Sequence, residues 1–133
     1  MSKTIAVTGV ASGIGAALAR ILSQRGHTVI GFDKNPAEQN VHQFIHLDLN
    51  DPSSITNAVK QCPSGLDGLC NNAGLPPLDG LEHTILQVNF IGTRAFTNAI
   101  ASKMAPGASL VNMASRAGHR WQENLSQIKQ LAT

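Results

Sequence analysis

Residues Gly9-Val10-Ala11-Ser12-Gly13-Ile14-Gly15 place three glycines in seven positions, directly before the small residues Ala16, Ala17 and Ala19. Glycine lets the main chain turn sharply and lets an anionic group approach it with no Cβ in the way. With a helix starting at Ile14, the first N–H groups face that anion and the helix dipole favours it. The chemistry that suits such a loop is the binding of a pyrophosphate, with Gly9 at the turn. The spacing Gly-x-x-x-Gly-x-Gly also serves as an ordinary strand-to-helix turn. Asp33 narrows the choice. It closes a β-rich run about 20 residues after the loop, where a carboxylate can accept from both hydroxyls of an adenosine ribose. A 2′-phosphate there meets like charge, and no basic residue lies within the glycine loop, although Lys34 follows Asp33 directly. The pair therefore points to NAD.

These residues need strands whose ends converge. Thr4–Val7 is a short β-rich run, and Ile14, Leu18, Ile21 and Leu22 then recur at helical spacing until Gly26. Thr28–Phe32 reads as a buried strand, 34–42 as a loop or frayed helix, and Phe44–Leu47 as a third strand. Asp51 caps a helix that begins at Pro52 and runs to about Gln61. Leu66–Cys70 is a fourth strand. The pattern next predicts one long helix from Leu81 to Met104, stopped by Pro106-Gly107, and a fifth strand over Ser109–Met113. Within that helix, Ile85, Val88, Gly92, Ala95, Phe96 and Ala99 form one stripe, while Leu86, Phe90, Ile91 and Ile100 fall beyond it and suggest a partner surface. Trp121, Leu125, Ile128 and Ala132 share a last helical face, with Trp121 as its anchor. Strands alternating with helices give a doubly wound α/β fold with a parallel sheet, one dinucleotide-binding, Rossmann-like domain over residues 1–133.

Composition excludes other classes. The 133 residues are 42% hydrophobic and only 14% charged, which argues against disorder. A net charge of +2 with scattered basic residues gives no footprint for nucleic acid or an acidic membrane. No apolar run reaches the roughly 18 residues of a membrane span. Cys62 and Cys70 read as small buried hydrophobes in reducing cytoplasm. His42 and His46 lack the carboxylate or thiolate partners that would complete a metal site, so no metal is expected.

Thr8-Gly9-x-x-x-Gly13-Ile14-Gly15, Asp33, Asp48-Leu49, Asn71-Asn72-Ala73-Gly74, Val88-Asn89 and Ser115 follow the order and spacing of the short-chain dehydrogenases/reductases, which the whole chain resembles. Within that family, Leu66–Asn71 and the segment after Ser115 resemble the bacterial coniferyl-alcohol and 3α-hydroxysteroid dehydrogenase group. The resemblance implies that Ser12, Gly13, Ile14 and Gly15 line the pyrophosphate, that Asp33 binds the adenosine ribose, that Asp48 and the backbone of Leu49 contact the adenine edge, and that Asn72, Ala73 and Gly74 pass beneath NAD. It further implies that Ser115 holds the oxygen of an alcohol or ketone substrate, that Asn89 supports a proton-relay water, and that the long helix joins a homodimer or homotetramer interface.

The family's proton-transferring Tyr and its companion Lys have no counterpart here. The chain contains no tyrosine, and the short family spacing from Ser115 falls on Ile128 and Ala132. Two readings follow. Either the chain stops after the fifth strand, inside an insertion that precedes the Tyr-bearing helix of an NAD-dependent alcohol dehydrogenase, or it is a non-catalytic NAD-binding module.

Overall fold

A computed structural model describes residues 1–132, so that Thr133, the last residue of the expected domain, lies outside the described residues. Five parallel strands, β1 (Thr4–Thr8), β2 (Thr28–Asp33), β3 (Gln43–His46), β4 (Leu66–Asn71) and β5 (Met104–Asn112), lie in the order β3-β2-β1-β4-β5. The doubly wound α/β architecture is thus as expected from the sequence. Alternation along the strands serves both faces. Val7 and Val29 point to one side, where Ala19 and Leu18 of α1 (Gly13–Gln24) cover them. Ala6, Ile30, Phe32 and Leu69 point to the other, under Ile55 and Ala58 of α2 (Pro52–Gln61). Asp51 caps α2 as expected, its carboxylate accepting the Ser53 N–H at 2.9 Å. The strand order sends the chain outward in opposite directions from β1, which leaves a crevice at the carboxyl ends of β1 and β4.

The expected helix over 81–104 runs unbroken from Glu82 to Lys103, but it is not one regular α-helix. It consists of α3 (Glu82–Leu86), a π-helical turn Gln87–Gly92, α4 (Thr93–Ile100) and a short 3₁₀ turn Ala101–Lys103. The wide turn resets the helical phase. Gly92, Phe96 and Ile100 are buried, whereas Ala95 and Ala99, assigned to the inner stripe by unbroken periodicity, are exposed. Ile100 therefore belongs to the core and not to a second, outward face. Phe96 packs edge-on against Phe32, with centroids 5.2 Å apart.

Pro106-Gly107 does not stop that helix. β5 begins at Met104, five residues before the expected start, and Pro106-Gly107 lies inside it. Leu66 pairs with Met104 and Gly68 with Ser109, so an advance of two residues on β4 matches five on β5. The surplus forms an irregular bulge on an edge strand, where proline is tolerated and Gly107 takes a φ of 78°. β5 also ends at Asn112, so Ser115 lies beyond the strand and not at its end. The chain finishes with α5 (Leu125–Ala132). Trp121 is not an anchor: it is 51% exposed, as Leu125 and Ile128 are at 37% and 40%. The side chain of Ala132, the fourth member of that face, lies outside the described residues. Among the described residues, no helix is long and apolar enough to cross a membrane.

Two outcomes follow from this core. Phe96→Ala removes a fully buried ring facing Phe32 and is expected to cost about 3–5 kcal/mol, read from the urea midpoint at unchanged slope. Burial pushes the Cys62 thiol from 9.0 up to about 11, against a smaller opposing effect of Lys103. A thiol that ionises later in the folded than in the unfolded chain stabilises fully below pH 9.0 and loses that contribution as the pH rises toward about 11. Stability measured across that interval is expected to fall more steeply in the wild type than in Cys62→Val.

Candidate functional site

The glycine loop is built by close approach. A Cβ on Gly15 would overlap the carbonyl of Gly9, so α1 can start against the turn only with glycine there. Gly9 itself has a φ of 75° and lies where a Cβ would come within 3.0 Å of the Cα of Ala73. The first amides of the loop are consumed by β2. Gly9 N–H donates to the Phe32 carbonyl at 2.7 Å, and Ala11 N–H donates to Oδ2 of Asp33 at 3.0 Å. The amides that follow open α1, where helical geometry offers them no acceptor. Ser12 is the N-cap but its side chain makes no capping bond, and no acidic residue lies in the first turn. An anion is thus the fitting partner for this helix end. Gly13 has a φ of 57° and nothing within 4 Å of where a Cβ would stand.

Asp33 is held at both oxygens, since Oδ1 accepts the Asn35 N–H at 2.8 Å while Oδ2 takes Ala11. The carboxylate is thereby fixed in one orientation, each oxygen keeping a lone pair for a further donor. Asp48 follows β3; its Oδ1 accepts the Asn50 N–H at 2.9 Å and its own N–H donates to Oγ of Ser54 at 2.8 Å. Leu49 is buried, with its carbonyl against Gly92.

Thr8, at the end of β1, carries no assigned role in the sequence reading but sets the opposite wall. Its buried hydroxyl accepts the N–H of Asn72 at 3.0 Å and of Ala73 at 2.9 Å, and its carbonyl accepts from Nδ2 of Asn72 at 3.3 Å. Its place directly before Gly9, at the head of the glycine motif, was the available signal. Asn71, equally buried, donates through Nδ2 to Oγ1 of Thr97 and to Oδ1 of Asn112, both at 2.9 Å. The second asparagine thus faces the cleft wall while the first ties β4 to α4 and β5.

Together these walls enclose a cleft of about 470 Å³ lined by Gly9, Ser12, Gly13, Ile14, Asp33, Asp48, Leu49, Asn72, Ala73 and Gly74. Gly15 lies just behind the loop it permits. Phe32, Lys34 and Val88 also line the cleft, as do Asn35, Leu75 and Thr84, which had no sequence signal of their own. Ser115 and Asn89 do not line it. Ser115 is exposed and its Oγ accepts the Ala117 N–H at 3.0 Å, a local turn bond. Asn89 grips Leu75, its Oδ1 accepting the Leu75 N–H at 2.7 Å and its Nδ2 donating to the Leu75 carbonyl at 2.9 Å. Among the described residues, no three His, Cys, Asp or Glu side chains gather as a metal site, and Nδ1 of His42 accepts the Val29 N–H at 2.9 Å.

The sheet order and the cleft define a doubly wound α/β protein with its candidate site at the switch point of the sheet. The chain belongs to the short-chain dehydrogenase family, whose profile matches residues 3–127. Coniferyl-alcohol dehydrogenase of Pseudomonas sp. (strain HR199 / DSM 7063) is 41% identical over 132 residues, covering 99% of this chain and 51% of that protein. The 3-alpha-hydroxysteroid dehydrogenase/carbonyl reductase of Comamonas testosteroni is 29% identical over 90% of this chain and 48% of its own. Among solved structures, the 3-alpha-hydroxysteroid dehydrogenase of Pseudomonas sp. B-0831 complexed with NADH is similar with a TM-score of 0.79 and 31% identity, over 96% of this chain and 51% of that one. The chain spans about half the length of the curated relatives it matches.

Removing the Thr8 acceptor should be felt at once. Thr8→Val leaves two amides without their acceptor and is expected to cost about 2–4 kcal/mol in urea unfolding, whereas Thr8→Ser keeps the hydroxyl and stays within about 1 kcal/mol of wild type.

Proposed function

We propose that this chain forms the NAD-binding half of an oxidoreductase that interconverts a secondary or aromatic alcohol and its carbonyl compound. The observation that carries this reading is the fixed Asp33 carboxylate standing in one cleft with an uncapped helix N-terminus. The cleft fits a dinucleotide: Gly13 leaves open space where a side chain would intrude, and the helix end offers amides to an anion. In this reading Ser12 to Gly15 hold the pyrophosphate, Asp33 accepts from the adenosine ribose, Asp48 and Leu49 border the adenine, and Asn72, Ala73 and Gly74 support the cofactor from below. The relative solved with NADH, and the 41% identity to a coniferyl-alcohol dehydrogenase, support both the cofactor and the substrate class.

NAD supplies or accepts the hydride when bound; this chain's residues orient and exclude. Ser115 keeps its hydroxyl hydrogen to donate to a substrate oxygen while its Oγ accepts from Ala117. Both ends of the Asn89 amide are engaged by Leu75, so its support of proton transfer passes through the position of that loop. A phenol near pKa 10 needs a neighbouring cation to act as a base near neutral pH, and the chain has no tyrosine. That absence favours a second reading in which the 133 residues, alone, bind NAD without turning it over. Both readings give one expected outcome: incubated with NAD and coniferyl alcohol, the 133-residue chain forms no NADH, and NADH formation would overturn the need for a phenol.

Cofactor choice tests the site itself. The ribose of NAD gives Asp33 two donors, each a charge-assisted bond of about 1.5–3 kcal/mol, whereas NADP replaces one with a dianion. Lys34 is an exposed ammonium that recovers about 0–1 kcal/mol. The balance is about 2 kcal/mol or more in favour of NADH, at least tenfold in affinity. Fluorescence titrations with NADH and NADPH should show that preference in the wild type and its loss in Asp33→Ala. Equal affinities in the wild type would remove Asp33 from the ribose site.

A further inference from the structure

The wide turn Gln87–Gly92 touches both long walls of the cleft. Toward one wall, Gly92 is buried against the carbonyl of Leu49, and a Cβ at 92 would overlap that oxygen. Leu49 belongs to the segment 47–50 that borders the cleft beyond Asp33. Toward the other wall, Asn89 holds both main-chain groups of Leu75, the residue after Gly74. Gly74 is itself so close that a Cβ there would stand 3.2 Å from Oδ1 of Asn89. The turn does not float between these contacts. Oγ1 of Thr93 donates to the Val88 carbonyl at 2.8 Å, five residues back, and so fills the wide turn from the side. Oγ1 of Thr97 donates to the Thr93 carbonyl at 2.7 Å and accepts from Asn71 at the end of β4.

An ordinary close helix crossing explains a glycine at 92 but not the rest. It does not require a π turn, a threonine bonded into it, or an asparagine three residues earlier committed wholly to the opposite wall. π turns are rare inside helices and, where they occur, often mark functional positions. The geometry points to Gly92 as a positioning residue: through the π turn Gln87–Gly92 it braces the Leu49 wall against the Asn89–Leu75 clamp, so that a nucleotide filling the adenosine end of the cleft also steadies Leu75 at the other end. This rests on the nucleotide reading given above. By reciprocity, whatever holds Leu75 in place tightens the adenosine end by the same factor.

The Leu75 N–H is a direct reporter, because its exchange with solvent requires release from Oδ1 of Asn89. Hydrogen exchange is followed by NMR on the whole 133-residue chain, with and without saturating AMP, which carries adenine, ribose and one phosphate but no nicotinamide half. In the wild type AMP should slow exchange of the Ala11 amide, which is bonded to Asp33, and should also slow Leu75 by about fivefold or more. In Gly92→Ala the effect at Ala11 should persist and the effect at Leu75 should vanish. Thr93→Val should weaken the Leu75 effect and Thr93→Ser should restore it, a rescue that a merely space-filling role of the turn would not give. If Gly92→Ala does not fold, the Thr93 pair decides. AMP protection of Ala11 without any change at Leu75 in the wild type overturns the linkage and leaves the nucleotide reading standing. Full Leu75 protection in folded Gly92→Ala removes Gly92 from it. Protection of neither amide removes the nucleotide reading and this inference together.

Discussion

The contact of Gly15 with the carbonyl of Gly9 is the tightest constraint around the cleft, because no side chain fits between them. It brings the first turn of α1 against the end of β1, and that approach decides where the free helical amides point. Everything else at this end of the sheet is arranged around the same strand end. β2 takes the amides of Gly9 and Ala11, and the hydroxyl of Thr8 takes those of Asn72 and Ala73. Buried main-chain groups must find partners, and here nearly every partner lies on a neighbouring strand end. The loop amides left over are those a helix N-terminus cannot satisfy by itself.

The polar side chains of the cleft therefore divide by whether their capacity is spent. Thr8 is buried at 2% exposure with two amides on its oxygen, and it acts as scaffold. Asp33 has two amides as well, but a carboxylate offers about four acceptor directions, so the same bonds orient it without exhausting it. That is why one residue can close the glycine loop and still face a ligand. Asn89 sits at the scaffold end of this range, with its amide engaged on both sides by one residue.

How far the sequence carried these conclusions depends on whether the determining pattern was local. The glycine loop, the cap at Asp51, the first four strands and Asp33 each announce themselves within a few residues, and the structure forms those elements within a residue of the expected bounds. The wide turn at 87–92 does not, because one extra residue per turn leaves composition and local propensity unchanged. Its contacts are distant ones, such as the Leu49 carbonyl, 43 positions away in the chain, which excludes a Cβ at Gly92. The resulting phase shift moved Ile100 into the core and Ala95 and Ala99 out of it. The start of β5 was hidden for a related reason. Pro-Gly is a strong stop signal, yet an edge strand can absorb both residues in a bulge, and only pairing with Leu66 and Gly68 shows that it does.

The same reasoning separates the residues proposed to hold the cofactor from Ser115, proposed to act on the substrate. In the proposed reading, holding a dinucleotide needs backbone geometry at strand ends, which belongs to five adjacent parallel strands and α1. Proton transfer needs side chains of tuned acidity held at one point, which demands a packed environment around them. Ser115 has no such environment among the described residues. It lies past the end of β5, exposed, with its oxygen turned to the next turn of its own backbone. β5 is itself an edge, and Leu110 and Val111 on it are 42% and 54% exposed. A hydroxyl on so little support keeps the freedom that packing would remove, and orientation is the larger part of what such a group contributes to a reaction. The short-chain dehydrogenase character of this chain thus resides where backbone geometry alone suffices.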